Sequence, residues 1–300
     1  MRKLLTFLIA LAAVVGVTAS SFGGSMGLLG VGKPAAGGGC ALDTSTCVWV
    51  AAVQAAGGTV SAGQQTNVNT LITGLKSAGL FTTLDRLWLF ASENTFQAAI
   101  DIIGLHVLGT ITGPPTFTAS QGYTGDAFGS AFIDSGFIPS TSGVNYTLNN
   151  ASIGVYNRTN RTFSQGASTI SALDGSSNAS ALQIFSFSFN IAQINDNNPM
   201  LATPPANAQG FWIASRSSNA RALYQNGNTT PVGSDTQTPS ALPSVSIGLL
   251  GRNNNGSLDQ RSNDELAIVL MGRTLTSGNV ATLSTLINGG YMTSLGTNVY

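Results

Sequence analysis

Phe185, Phe187, Phe189 and Ile191 alternate with Ser186, Ser188 and Asn190. A repeat of two puts the apolar groups on one face of an extended chain and the hydroxyl and amide groups on the other. Such a segment buries one face in a core and leaves the other polar, as an antiparallel sheet requires. Short runs of the same kind recur between turn residues: Thr116-Phe117-Thr118, Ala131-Phe132-Ile133, Ser152 to Tyr156, Phe211-Trp212-Ile213 and Leu223-Tyr224 before Asn226-Gly227. Val245, Ile247 and Leu249 predict another strand, and Leu266 to Met271 one buried on both sides. Many short strands at this spacing predict a mainly β chain, a two-sheet antiparallel sandwich or jelly roll.

The period is different before His106. Ser61-Ala62-Gly63-Gln64 has capping-box spacing, and Val68, Leu71, Ile72 and Leu75 follow at helical intervals up to Gly79. A further helix is expected after Ser92, with Phe96, Ala99, Ile100 and Ile103 on one face. A last one starts at Thr276 or Ser277 and turns Val280, Leu283 and Ile287 inward. The expected organisation is a helical subdomain over 47–105, then a β-sandwich with a C-terminal helix over 106–300.

Ahead of these, Arg2 and Lys3 precede an apolar run from Leu4 to Val17, and Val17-Thr18-Ala19 supplies small residues for cleavage. Residues 1–19 therefore read as a secretory signal. An uncleaved anchor, the one route to a membrane, and a buried or particle-associated arm are the alternatives. Residues 20–46, rich in Gly, Ser and Ala, read as a flexible linker. Cys40 and Cys47 are the only cysteines; an exported chain would join them as a disulfide, and two free thiols are the other reading. Two cysteines and one histidine complete no zinc site.

Only 8% of the 300 residues are charged, and twelve basic groups balance twelve acidic ones. A neutral surface of Ser, Thr, Asn and Gln offers nucleic acid no electrostatic footprint. Disorder is excluded, because 43% of residues are hydrophobic and their alternation recurs.

Two motifs carry a resemblance. Arg221 to Gly227, with "LY", one more residue and "NG", resembles the hairpin of laminin-G-like, concanavalin A-like domains. Asp264-Glu265-Leu266-Ala267-Ile268-Val269, followed by Arg273-Thr274-Leu275-Thr276 and a helix, is similar to their closing strand. The likeness covers roughly 110–295; with the added helical segment, the chain resembles proteins encoded by bacteria and their phages. It implies a jelly-roll fold and recognition or adhesion. It also implies calcium at the sandwich rim, for which Asp196 in Asn195-Asp196-Asn197-Asn198 is the candidate.

Catalysis finds little support. Sandwich glucanases place carboxylates at alternate positions of one strand, whereas Glu93 and Glu265 are the only glutamates and lie far apart. Asp264 and Glu265 are adjacent, so on a strand they face opposite ways. His106, the only histidine, has no Gly-x-Ser-x-Gly partner and reads as a packing or surface residue.

The expected function is a non-catalytic recognition module for glycans or a cell surface. A structural virion, tail or decoration protein packed on other subunits is the alternative, and a glycan-active enzyme a remote one. Trp212 and Tyr224 are the candidate ligand-binding pair. A Ser217-Ser218-Asn219 loop would set them opposite each other on one face, partly wet and able to stack on a sugar. The competing expectation buries that face under the N-terminal helices and makes Trp212 core.

Overall fold

The computed structural model describes residues 40–300 apart from 127–129, 162–165, 187–188 and 205. The expected signal, nearly all of the linker, and Phe187 with Ser188 lie outside the described residues. Two helices come first. In α1 (Thr44–Ala55), the Asp43 side chain caps the N-terminus by accepting from the Ser45 N–H. In α2 (Ala62–Ser77), Ser61 accepts from Gln64 N–H, which meets one of the amides that a helix start leaves unpaired. After α2 the chain turns at Gly79 with φ +69°, a conformation that glycine adopts without a Cβ penalty.

The strands follow. β1 is Leu84–Leu89, β2 Ile111–Thr112, β3 Thr116–Thr118, β4 Gly122–Thr124, β5 Phe132–Asp134 and β6 Asn150–Asn157. β7 is Ile170–Leu173, β8 Ala179–Ser186, β9 Phe189–Asp196, β10 Met200–Ala202, β11 Gly210–Ser217 and β12 Ala220–Gln225. β13 is Gly233–Thr236, β14 Gly248–Leu249, β15 Arg252–Asn254, β16 Ser257–Asp259 and β17 Glu265–Gly272. Short helices α3 (Thr95–Ala99) and α4 (Pro139–Ser142) interrupt them. α5 (Ser277–Ser284) ends the fold, opened by a Thr276–Asn279 capping box and continued as a π-helical segment, Thr285–Met292.

One sheet has eight strands in the order β13-β12-β11-β6-β17-β4-β3, with β1 also on β17; the other has nine, β10-β9-β8-β7-β14-β5-β2, with β15 and β16 attached. β17 organises the first. One side pairs with β6, while the other pairs with β4 at Glu265–Leu266 and with β1 from Ile268 to Gly272.

Two cores explain this arrangement. Between the sheets lie Trp88, Phe137, Tyr146, Ile153, Val155, Leu182, Trp212 and Val269. On the far face of the eight-stranded sheet, Tyr156, Phe211, Ile213, Ile268 and Leu270 pack against Trp49, Leu71, Leu75, Leu283 and Ile287 from the helices. The molecule is therefore a mainly β, three-layer stack: helices, eight-stranded sheet, nine-stranded sheet. Strands buried on both faces are apolar throughout, and Leu266 to Met271 is fully buried.

The helical region is not a separate subdomain ending at 105. Leu87-Trp88-Leu89 is a strand of the eight-stranded sheet, and Cys40–Tyr300 forms one compact unit. The helix expected after Ser92 closes at Ala99, because Ile100 bridges to Val107 in extended geometry. Of the strand expected at Val245–Leu249, only Gly248–Leu249 forms. The alternating phenylalanines do not lie on one strand either. β8 and β9 pair antiparallel with Ser186 opposite Phe189, so Phe185 and Phe189 belong to two arms of a hairpin. No helix among the described residues is long and apolar enough to cross a membrane.

Candidate functional site

The register of β11 and β12 decides where the expected ligand pair sits. Ser217 pairs with Ala220, so the turn holds two residues, Ser218 with φ +54° and Asn219, rather than three. A one-residue difference moves each partner to the other face. Trp212 is therefore opposite Gln225, and Tyr224 opposite Ile213. Trp212 is 0% exposed between the sheets and donates its indole N–H to the Ala208 carbonyl at 2.9 Å. Tyr224 is buried on the other face, under the helices. The two rings form no shared platform.

Asp196 is no cation ligand. Its carboxylate is fully buried and accepts from both Arg216 and Arg221, the latter at 2.7 Å. Two guanidinium groups already compensate its charge and would repel calcium. Among the described residues, no group of three or more His, Cys, Asp or Glu side chains is placed to hold a metal ion. Cys40 and Cys47 are joined as a disulfide at the start of α1. His106 is exposed on a loop, where its backbone N–H donates to Asp101 at 2.7 Å.

A groove of about 440 Å³ separates α2 from the π-helical segment, between Leu71, Leu286 and Tyr291. Its hydroxyls are turned inward: Thr70 donates to Thr66, Thr285 to Ala281 and Ser294 to Tyr291, each on a backbone carbonyl. It offers a ligand little polar recognition.

The outer face of the nine-stranded sheet is different. Asn190, Ala192 and Ile194 of β9 point inward, which turns Phe189, Ile191 and Gln193 outward. Phe189 is 44% exposed, and Leu201 of β10, opposite Ile191, is 54% exposed. The next row runs from Gln193 through Ala181 of β8 and Ser171 of β7 to Arg252 of β15 and its partner Asp259. Ser171 carries a buried hydroxyl without a hydrogen-bond partner. Beside this row, Gln183 donates to Gln260 at 3.1 Å, and Gln260 accepts from Ser168 at 2.8 Å. Arg252 holds Asp259 in a bidentate pair, with Nε to Oδ1 and Nη2 to Oδ2 both 2.7 Å, and Asn254 adds a bond at 3.0 Å. Burial pushes the Asp259 carboxyl upward, but the bonds from Arg252 and Asn254 outweigh it and hold its pKa below the ordinary value. Ser171 and Ala181 are 1% exposed and Gln183 6%, so the middle of this face is covered, and its accessible part is the β9–β10 edge with Phe189, Leu201 and the half-buried Ile191 and Gln193.

Sequence reasoning did not find this face. Phe189 was read as one of several core-facing rings, and Gln183, Gln193, Arg252 and Asp259 carry no motif.

No protein-family model matches the chain, and no curated protein matches its sequence. Solved structures are similar in architecture. A Trypanosoma rangeli sialidase is 10% identical with a TM-score of 0.49, over 77% of this chain and 40% of that one. Domain 4 of the GH43 extracellular arabinanase AbnA from Geobacillus stearothermophilus, in complex with arabinotriose, is 16% identical with a TM-score of 0.39, over 67% and 98%. The CBM40 of the Ruminococcus gnavus IT-sialidase, bound to α2,6-sialyllactose, is 12% identical with a TM-score of 0.35, over 46% and 84%. The chain spans about 40% of the length of the Trypanosoma sialidases it matches. With identities of 10–16% and TM-scores below 0.5, these likenesses say nothing of this chain's role.

Proposed function

We propose that the protein is an exported, non-catalytic recognition module that holds a saccharide on the outer face of its nine-stranded sheet. One observation carries this reading: of the four sheet faces, two form the inter-sheet core and a third lies under the helices, while the β9–β10 edge of the fourth presents Phe189 at 44% and Leu201 at 54% exposure. A phenyl ring and aliphatic groups suit the apolar side of a sugar, and amides next to them suit its hydroxyls. The adhesive role implied by the laminin-G-like resemblance would use the same face.

The non-catalytic reading is supported by the carboxylates. Glu93 accepts from Ser61 and Gln97, and these bonds hold its pKa below the ordinary value although burial pushes the other way. A glycosidase acid needs the opposite shift. Glu265 pairs with Arg158, and Asp264 with Arg161 inside the sandwich. Export is supported by the disulfide.

Binding of the full chain to a panel of immobilised oligosaccharides tests the proposal. The wild type should retain a subset, and Phe189→Ala with Gln193→Ala should weaken retention at least about tenfold, a loss of roughly 1.4 kcal/mol. Both side chains point outward, so the melting temperature should hardly move. Retention of no saccharide, or retention unchanged in the double variant, overturns the reading and favours a structural role on a particle.

A further inference from the structure

Seven Asn-x-Ser/Thr sequences occur along the chain. In an exported protein such a sequence accepts an N-linked glycan, provided that its asparagine amide and its hydroxyl residue stay accessible. The fold sorts them. Asn157 is fully buried, and its Nδ2 donates to the Thr159 and Ala208 carbonyls at 3.2 and 3.3 Å. Asn178 is 8% exposed and spends its Nδ2 on both carboxylate oxygens of Asp174, each at 3.2 Å. Asn145 is half-buried and gives its Nδ2 to the Leu84 carbonyl at 3.3 Å. At Asn150 the hydroxyl residue, Ser152, is fully buried and donates to the Arg273 carbonyl at 2.8 Å. Thr162, which completes the sequence begun by Asn160, lies outside the described residues.

Asn228 is different. It stands in the connection between β12 and β13, and Thr229 and Thr230 beside it are exposed as well. Its Oδ1 accepts from the Thr230 N–H at 3.2 Å, which folds the three residues into an Asx turn. The turn sets the carboxamide next to the threonine, and among the described residues nothing holds its Nδ2. Asn157 makes the same turn, with the Thr159 N–H at 3.1 Å, but inside the molecule. Asn255 is exposed too, yet it sits at φ +49° in the β15–β16 turn, and its Ser257 is paired with Asn254 in the β-ladder.

We propose that Asn228 is an N-glycosylation site. The donor is an oligosaccharide carried on a lipid pyrophosphate. A bond forms between Nδ2 and C1 of the first sugar while the bond from C1 to the pyrophosphate oxygen breaks. The lipid pyrophosphate leaves, and a base of the transferase takes the amide proton. A glycan at Asn228 extends from an exposed turn, whereas one at Asn157 or Asn178 has to fit inside the packed molecule. The inference rests on the export part of the reading above and not on saccharide binding.

The experiment produces the full chain in cells whose export route carries an N-glycosyltransferase and maps glycopeptides of the exported protein. The peptide with Asn228 should carry sugar, and those with Asn157 and Asn178 none. Asn228→Gln and Thr230→Ala should each abolish modification at this position, and Thr230→Ser should keep it. Both side chains are exposed, so after enzymatic removal of sugar the variants should melt with the wild type. An exported chain with a bare Asn228, or a folded chain with sugar on Asn157 or Asn178, overturns this inference alone. A chain that is never exported overturns the export reading and the acceptor role with it.

Discussion

The two sheets are built from similar strands and live in different surroundings. Ile213 in the eight-stranded sheet and Ile191 in the nine-stranded sheet each point away from the inter-sheet core. Ile213 meets Phe211, Tyr156 and the helical layer, and is fully buried. Ile191 is half-buried and stands beside the exposed Leu201 and Phe189 at the β9–β10 edge. The same side chain therefore stabilises the fold in one place and is free for recognition in the other. The helices make the difference: they cover one outer face, while the β9–β10 edge of the other keeps Phe189 and Leu201 exposed.

The sharpest way to break the comparison is to make the same substitution on both faces. Ile213→Ala should cost about 2–5 kcal/mol, because the cavity it leaves is enclosed by packed neighbours. Ile191→Ala should cost about 0.5 kcal/mol or less, since solvent fills the gap. Denaturant midpoints of the two variants measure this. Equal losses would mean that the nine-stranded sheet is covered as well, and the recognition face would vanish with them.

A smaller effect probes what holds the cover down. The Tyr156 hydroxyl, on the helix-covered face, donates to Asn288 of the π-helical segment and accepts from the Val299 N–H at 2.8 Å. Burial pushes its pKa up from 10.0 to about 12. An unfolded chain would release this proton near pH 10 while the fold still keeps it, so stability should be unaffected below pH 10. It should then fall as the pH rises towards 12, by on the order of 2–3 kcal/mol from this group. Tyr156→Phe has no proton to lose and should make that part of the profile shallower, the decline that remains coming from the other buried tyrosines, Tyr146, Tyr291 and Tyr300, whose pKa values burial also raises. An equally steep decline in the variant would place the alkaline weakness elsewhere.

The smallest effect concerns the disulfide. The segment it closes docks on α2: the Asp43 N–H donates to Asn69 at 2.7 Å, and Asp43 pairs with Lys76 at 2.6 Å. Reduction should lower stability by about 2 kcal/mol or less, as expected for a short loop, seen as a few degrees in melting temperature. Because Trp49 of α1 is core, a loss of secondary structure on reduction would show that the whole helical layer depends on this link; an unchanged melting temperature would show that α1 holds without it.

What the sequence determined by itself is local. The spacing of Val68, Leu71, Ile72 and Leu75 dictates which face of α2 is buried, and the unbroken run from Leu266 to Met271 specifies a strand buried on both sides. These follow from periodicities of 3.6 and 2, which neighbours in the chain impose on one another. The cap at Ser61 and the helix after Thr276 are legible for the same reason. Tertiary structure decided the rest. The hairpin of Trp212 and Tyr224 depended on a turn of two residues instead of three, a difference that alternation alone does not encode and that sends the rings to opposite faces. Asp196 reads as an oxygen-rich loop until Arg216 and Arg221, 20 and 25 residues away, reach its carboxylate. The candidate site is the extreme case. Gln183, Gln193, Arg252 and Asp259 come from four strands, and their side chains share a face only because β8, β9, β15 and β16 join one sheet. That the helices settled on the other sheet is in turn a choice made by complementary packing between distant segments rather than by any spacing along the chain.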